Sequence, residues 1–313
     1  MNVFHNLNEL PVGFGPTVVS VGNFDGVHRA HQSVLKEVVG RAKTLGVKSV
    51  AVTFEPHPTR ILRPESAPRL ITPLAEKVKL LGATGLDALL VLPFNRDLSL
   101  ITAHDFAAKV LRDALHVKEV HEGFNFHFGH KAEGTIQRLA EFGQELGFAV
   151  KAYDEMTLRG HAVSSTSIRK LLQNGKVDQA RHLLGRVFSI TSTPGRGRGY
   201  GHKYTVPTIN LARYDELIPG NGVYVTRTRV GAETFNSVTN IGNRPTFGEE
   251  SFAIETHLLN FHPIDVTAET PVELSFLKYL RPETKWPDVD ALRAQIAKDV
   301  HRARRYFHLC GVM

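Results

Sequence analysis

The sequence predicts an α/β doubly wound domain, followed by a small antiparallel β-barrel domain with a C-terminal helix. In the first half of the chain, apolar runs of strand length alternate with amphipathic helical segments, which is typical of parallel βαβ units. After about residue 186, strand-like segments follow one another and are divided by turns, which is typical of a small barrel or sandwich. The 313 residues also exceed the roughly 250 at which a single hydrophobic core stops growing.

The first half contains nine predicted elements. The apolar runs that predict strands are 17–22, 49–54, 87–94, 117–123 and 148–153, and the amphipathic segments that predict helices are 32–45, 74–84, 103–115 and 133–147. An open doubly wound sheet binds its ligands at the carboxyl ends of its strands. The segment Gly22 to His31 follows the first of these strands, so we expect it at such an end.

The second half contains four predicted main strands and two helices. The strands are 222–230, 233–242, 252–261 and 270–280, and the closing helix runs from about Asp288 to Phe307. A short helical segment, 175–186, connects the halves. We therefore expect a boundary near Gly185, with domains at 1–185 and 186–313.

The composition indicates a globular protein of a reducing compartment. Hydrophobic residues make up 42% of the chain and charged residues 22%, and Cys310 is the one cysteine. No internal disulfide is possible, which fits the cytoplasm. The N-terminal segment does not resemble a signal peptide, and no apolar run approaches the roughly 20 residues of a membrane helix. The net charge of +7 suits an acidic partner such as nucleic acid, lipid or a phosphorylated small molecule.

Two histidines, His28 and His31, stand three residues apart directly behind the glycine-rich segment 22–26. A zinc pair would need a third and a fourth ligand, and the single cysteine lies at the far terminus. A catalytic nucleophile paired with a histidine base is not indicated, because the nucleophile is missing here. Two surface histidines at the start of a helix remain an alternative.

A phosphate site explains more of these residues together. Gly22 and Gly26 allow a tight turn and a close approach to a ligand. Backbone N–H groups at the start of the next helix favour anions, and histidines in the first turn can donate hydrogen bonds to a triphosphate.

The segment GNFDGVHRAH resembles the (H/T)xGH motif of the nucleotidylyltransferase superfamily, whose longer form GxFDGxHxGH is typical of prokaryotic FAD synthetases. FEPHP at 54–58, GFNFHFGHKAEG at 123–134 and SSTSIRKLLQNGKVDQARHLLGR at 164–186 resemble the same family in order and spacing. Ala30 stands where the family has a glycine. The resemblance extends over essentially the whole chain.

This resemblance implies that His28 and His31 stabilise the phosphates and the transition state. It implies an ATP- and phosphate-binding set of Gly22, Phe24, Gly26, Asn125, Ser165, Thr166 and Arg169. Asn125 would contact the nucleotide or a phosphate bound to Mg²⁺. Simple N-capping of a helix is the alternative for Ser165 and Thr166.

The segments GHKYTVPTINL at 201–211 and NIGNRPTFG at 240–248 resemble a flavokinase barrel, although Thr205-Val206 replaces the usual Gly-Phe. Thr208 and Asn210 alternate at the start of a strand and offer hard oxygen ligands for Mg²⁺. Glu255 stands where the family has its catalytic glutamate, which would act as general base. An ordinary turn is the alternative for Thr208, and a solvated strand face for Glu255.

The resemblance implies a bifunctional enzyme that phosphorylates riboflavin to FMN and adenylylates FMN to FAD, with Mg²⁺ in both reactions. We expect ATP, riboflavin and FMN as partners, and neither nucleic acid nor a membrane. Two alternatives are a chain with only one active module and a non-enzymatic nucleotide- or RNA-binding protein.

Overall fold

The computed structural model describes residues 1–195, 208–244 and 251–311. Packing divides the chain into two compact units, Met1–Ser165 and Thr166–Met313. The predictions that involve Thr205, Val206 and the end of the NIGNRPTFG segment fall outside the described residues.

The first unit contains a six-stranded sheet and two short hairpins. The strands are β1 (Asn2–Phe4), β2 (Thr17–Val21), β3 (Lys48–Glu55), β4 (Ala88–Pro93), β5 (Val117–Gly123), β6 (His127–Phe128), β7 (Gly134–Thr135), β8 (Ala149–Tyr153), β9 (Thr157–Leu158) and β10 (His161–Ala162). The order in the main sheet is β1-β4-β3-β2-β5-β8, and all five strand pairs are parallel. The predicted doubly wound α/β fold is therefore confirmed.

Helices connect these strands. They are α1 (Arg29–Leu45), α2 (Pro58–Leu62), α3 (Leu74–Gly82), α4 (Arg96–Leu100), α5 (Ala103–Asp105, continued by a π-helix at Phe106–Ala114) and α6 (Ile136–Leu146). None of the helices in the described ranges is long and apolar enough to cross a membrane.

The strands of this sheet are apolar because both of its faces are covered. All five residues of β2 are buried. Val19 and Val21 pack in the core on one face, whereas Val18 packs in the core on the other. Each fully buried side chain of this size contributes about 1.5–3 kcal/mol, so the continuous apolar runs determine which segments become central strands.

The second unit begins with two helices and continues as a six-stranded antiparallel sheet. Its elements are α7 (Ser165–Gln173, whose first residue belongs to the first unit), α8 (Val177–Leu184), β11 (Phe188–Ser192), β12 (Thr208–Asn210), β13 (Gly222–Val230), β14 (Glu233–Arg244), β15 (Ser251–Leu258), β16 (Val272–Arg281) and α9 (Val289–Leu309). The predicted bridging helix ends at Leu184, where Gly185 has a φ of 76°.

The sheet order β11-β16-β13-β14-β15-β12 places β11 and β12 at the two edges. The chain segments next to these edges meet. Pro194 and Leu211 form an isolated antiparallel β-bridge, and the amide of Gly195 donates a hydrogen bond to the backbone oxygen of Asn210 at 2.8 Å. The edges are therefore joined, as the predicted small barrel requires. Asp288 caps α9 by accepting from the amide of Ala291 at 2.7 Å.

Candidate functional site

The loop between β2 and α1 has a strained backbone. Phe24, Gly26 and Val27 have φ values of 46°, 86° and 37°, a region that L-residues other than glycine rarely adopt. Gly26 suits this region, whereas Phe24 and Val27 are held there although it costs each on the order of 1–3 kcal/mol. Both side chains are almost fully buried, so packing holds them. Gly22 leaves room for the Phe24 ring, because a Cβ at position 22 would lie 3.4 Å from that ring.

Asp25 connects this loop to distant parts of the chain. Its carboxylate accepts hydrogen bonds from the amides of Ile71 at 3.1 Å and Thr72 at 3.0 Å. Its backbone oxygen accepts the hydroxyl of Ser165 at 2.8 Å. Ser165 is the first residue of α7, and its hydroxyl is therefore used to hold the loop.

His28 and His31 lie together at the start of α1. The helix begins at Arg29, ahead of the predicted Gln32, because His28 is its N-cap. The amide of His31 donates to His28 Nδ1 at 3.4 Å. The two rings stack with centroids 3.6 Å apart, and the Phe24 ring meets the His31 ring edge-on at 5.2 Å.

This arrangement disfavours charge on His31. Burial lowers the pKa of His31 well below its usual value, and the neighbouring His28 and Lys77 lower it further. Two imidazolium rings at such a distance would repel each other. In the free protein His31 is therefore a neutral imidazole, with one nitrogen that donates and one that accepts.

Asn125 lies at the same edge of the sheet. It follows β5, which pairs with β2, and it is exposed in a turn closed by the amide of Phe126 and the oxygen of Gly123 at 3.0 Å. Beneath it, the buried Glu122 accepts a hydrogen bond from the amide of Val21. Burial raises the pKa of Glu122 well above its usual value, which disfavours a negative charge on this carboxyl group.

The remaining residues of the predicted first set lie on α7. Thr166 and Arg169 follow Ser165 along that helix and are assigned to the second unit, where Thr166 is exposed and Arg169 is half-buried.

The second set of predicted residues meets on one face of the barrel sheet. Asn210 of β12 stands directly opposite Glu255 of β15, and Thr208 stands opposite His257. Residues directly opposite each other share a face, as do residues two apart along a strand. Thr208, Asn210 and Glu255 are therefore brought together, as the sequence suggested.

The register adds a residue that sequence reasoning missed. Asn240 of β14 stands opposite Glu255 on its other side, so Glu255 lies between Asn210 and Asn240. Asn240 begins the NIGNRPTFG segment, but only the long-range strand pairing shows that its side chain shares a face with the carboxylate. Asp25, Lys77 and Glu55 were missed in the first unit for a similar reason.

The opposite face of these strands carries a ring of buried hydroxyl groups. Thr226 contacts Ser237 at 2.8 Å and Thr239 at 2.7 Å. Thr228 contacts Ser237 at 2.7 Å and Thr256 at 3.2 Å, and Thr239 contacts Thr256 at 2.9 Å. None of the five side chains is exposed to solvent. The closed ring connects β13, β14 and β15, the last of which carries Glu255.

The residues of the second set fit a divalent cation. A hydroxyl, an amide oxygen and a carboxylate on one face are the hard oxygen donors that Mg²⁺ prefers. Within the described ranges, no group of three His, Cys, Asp or Glu side chains is arranged to hold a metal ion.

Comparisons with known proteins agree with both halves of this description. A family model for FAD synthetase matches residues 14–167, and one for riboflavin kinase matches residues 184–307. The bifunctional riboflavin kinase/FMN adenylyltransferase of Pseudomonas fluorescens is 35% identical over 305 residues, which cover 97% of each chain. The protein of the same name from Escherichia coli (strain K12) is 32% identical over 306 residues, which cover 97% of this chain and 96% of that one.

A solved crystal structure shares the fold. It is described as a macrolide-efflux protein from Streptococcus pneumoniae, and it matches with a TM-score of 0.86 and 26% identity over 96% of this chain and 98% of that chain. The relatives and the two family models together show that the chain belongs to the family of bifunctional riboflavin kinase/FMN adenylyltransferases.

Proposed function

We propose that this chain transfers the γ-phosphate of ATP to riboflavin to make FMN, and then transfers AMP from a second ATP to FMN to make FAD and pyrophosphate. The observation that carries the proposal is that each half of one chain matches a different transferase family and also contains the side chains its reaction needs. The relatives that bear both activities in their name match over 97% of this chain.

Adenylylation would take place at the loop between β2 and α1. The FMN phosphate attacks the α-phosphorus of ATP directly, so catalysis consists of positioning and charge neutralisation. The N-terminus of α1 favours the triphosphate, and His28 and His31 would donate to its oxygens. A triphosphate brings negative charge to the stacked pair, which favours uptake of a proton there as pyrophosphate leaves. Asn125, Ser165, Thr166 and Arg169 are the further phosphate-binding residues we propose.

Phosphorylation would take place on the face that carries Glu255. Its carboxylate accepts the proton of the ribityl hydroxyl as the hydroxyl oxygen attacks the γ-phosphorus. Asn210 and Asn240 stand on either side and would orient the carboxylate and the attacking hydroxyl. Thr208 and Asn210 would hold Mg²⁺, which when bound neutralises charge on the transferring phosphate.

We further propose an adenylyltransferase module at 1–185 and a kinase module at 186–313. The two family models, which end at 167 and begin at 184, support this division. By packing, α8 and α7 from Thr166 onwards belong to the second unit, whereas the family model for FAD synthetase ends at residue 167. We place the enzyme in the cytoplasm, which the single cysteine supports.

The test is to incubate the purified chain with riboflavin, ATP and Mg²⁺ and to separate FMN and FAD by chromatography. We expect both flavins. His31→Ala should slow FMN-to-FAD conversion about a hundredfold or more while riboflavin phosphorylation stays near the unmodified rate. His104→Ala, an exposed histidine of the same unit, is the matched control. FMN that accumulates without any FAD in the unmodified chain would restrict the function to the kinase.

A further inference from the structure

Lys77 is an almost fully buried lysine of the first unit. It lies on α3 and its side chain is only 1% exposed. Lysine is almost never buried to this extent unless it is paired. Its ammonium group nevertheless makes no hydrogen bond or close ion pair within the part of the chain that the structure describes. The ammonium carries three donors, so its position needs another explanation.

Burial and two negative charges act on Lys77 in opposite directions. Burial lowers the pKa of Lys77, and the carboxylates of Asp25 and Glu55 act in the opposite direction. Asp25 comes from the loop that follows β2, and Glu55 ends β3. The ammonium is therefore held at the carboxyl ends of two neighbouring strands, beside the strained segment Phe24–Val27.

Two further polar atoms of this cluster are buried and unpartnered within the described residues. They are Nδ1 of His31 and Oε2 of Glu55. Native structures rarely leave buried polar atoms unpaired, and here two occur around one buried lysine. The groups that act electrostatically on His31 are His28 and Lys77, so Lys77 links the carboxylates to the histidine pair.

We propose that Lys77 is a positioning residue of the adenylylation site: its ammonium, attracted by Asp25 and Glu55, fixes the loop from Phe24 to His31 that presents the histidine pair. This inference rests on the proposed function. Lys77 acts through its neighbours, and no contact with substrate is needed. A positive charge beside His31 disfavours the imidazolium, and the negative charge of a bound triphosphate offsets that effect.

The sign of the expected change follows from the groups that face His31. Lys77 and His28 both disfavour the charged ring, as does burial. Removal of the Lys77 charge leaves the other two causes, so His31 should titrate at a higher pH than in the unmodified chain.

The experiment compares Lys77→Met with Lys79→Met on the same helix. Lys79 is exposed and pairs with Glu76, so its variant controls for the loss of one lysine. The proton titration of histidines is followed by NMR in the full chain, with the His31 signal assigned through His31→Gln. FMN adenylylation is measured against pH, and riboflavin phosphorylation is measured on the same samples.

We expect Lys77→Met to raise the midpoint pH of the His31 titration and to move the pH profile of adenylylation in the same direction. The same substitution should lower kcat/KM for FMN about tenfold or more. Lys77→Met should leave riboflavin phosphorylation unchanged. Lys79→Met should leave both activities and the His31 titration unchanged, and Lys77→Arg should keep the His31 midpoint of the unmodified chain. A folded Lys77→Met with an unaltered His31 midpoint and pH profile would overturn the proposal. If Lys77→Met does not fold, Lys77→Gln decides by the same titration: a higher His31 midpoint supports the proposal and an unchanged one overturns it. The NMR titration needs no catalytic turnover. If the chain makes no FAD but Lys77→Met still shifts the His31 midpoint, the proposed activity is refuted and the inference about Lys77 is not.

Discussion

Thr256→Val opens the hydroxyl ring of the barrel without a change of side-chain shape. Thr256 accepts a hydrogen bond from the hydroxyl of Thr239 at 2.9 Å and shares one with the hydroxyl of Thr228 at 3.2 Å, and valine makes neither bond. Thr228 keeps Ser237 and Thr239 keeps Thr226 as a partner, so neither remaining hydroxyl is wholly unpaired. Two lost bonds at about 0.5–1.5 kcal/mol each predict a loss of about 2 kcal/mol in the free energy of unfolding of the second unit.

Trp286 offers a specific signal for this measurement. It is the one tryptophan of the chain, it belongs to the second unit, and its ring lies 5.5 Å from the Arg281 guanidinium. Urea unfolding followed by its fluorescence therefore reports on the barrel. Thr234→Val, on the exposed part of β14, is the matched control and should change the free energy by less than about 0.5 kcal/mol. Equal stability of Thr256→Val and the unmodified chain would refute the view that the ring stabilises the barrel.

Two further predictions follow from the two sites, and a third from the ion pair between Arg41 and Glu119. Glu255→Gln should slow FMN formation a hundredfold to ten-thousandfold, roughly the contribution of a general base, and leave FMN-to-FAD conversion intact; an unaltered kinase rate would rule out Glu255 as the base. Ala30→Gly, in the first turn of α1, should leave the adenylylation rate equal or higher and cost up to about 1 kcal/mol of stability; a clear drop in rate with an unchanged melting temperature would show that the loop is adapted to alanine. Hydrogen bonds from Arg41 lower the pKa of Glu119 from 4.5 to about 2, so the stability it contributes is present above pH 4.5 and lost as the pH falls towards 2. The melting temperatures of Glu119→Gln and the unmodified chain should therefore converge across that window, and a constant difference would argue against the ion pair.

The central elements of the fold could be predicted because they are strongly patterned. The segment TVVSV consists of three valines and two small hydroxyl residues, and it becomes β2, a strand buried on both faces. The short edge strands β1 and β11 were not predicted. β1 has three residues, none of them fully buried, and it is a strand only because it pairs with β4. Such pairing depends on tertiary contacts that local patterns do not record.

The residues of the two sites differ in how far sequence could reveal them. The spacing of His28 and His31 is visible in the chain, whereas their stacking depends on an N-cap and a strained loop. Lys77 lies in the segment LAEKVKLL, where its neighbour Lys79 is equally polar in sequence but exposed. The difference arises because α3 turns Lys77 towards Asp25 and Glu55, which belong to other elements. Burial of a charge at such a place is a long-range property.

In both sites, the side chains that we propose as reactive belong to residues whose neighbours in the sequence are buried. Glu255 stands between Ile254 and Thr256, and both are buried. Alternation along a strand then directs Glu255 to the opposite face, and the hydroxyl ring that holds Thr256 limits any slip of the register by one residue, which would turn Glu255 into the barrel. His28 likewise follows the buried Val27. Because the buried neighbours fix the backbone, the free energy of packing positions the groups that we propose as catalytic, and substitutions beneath either site should alter turnover without contact with substrate.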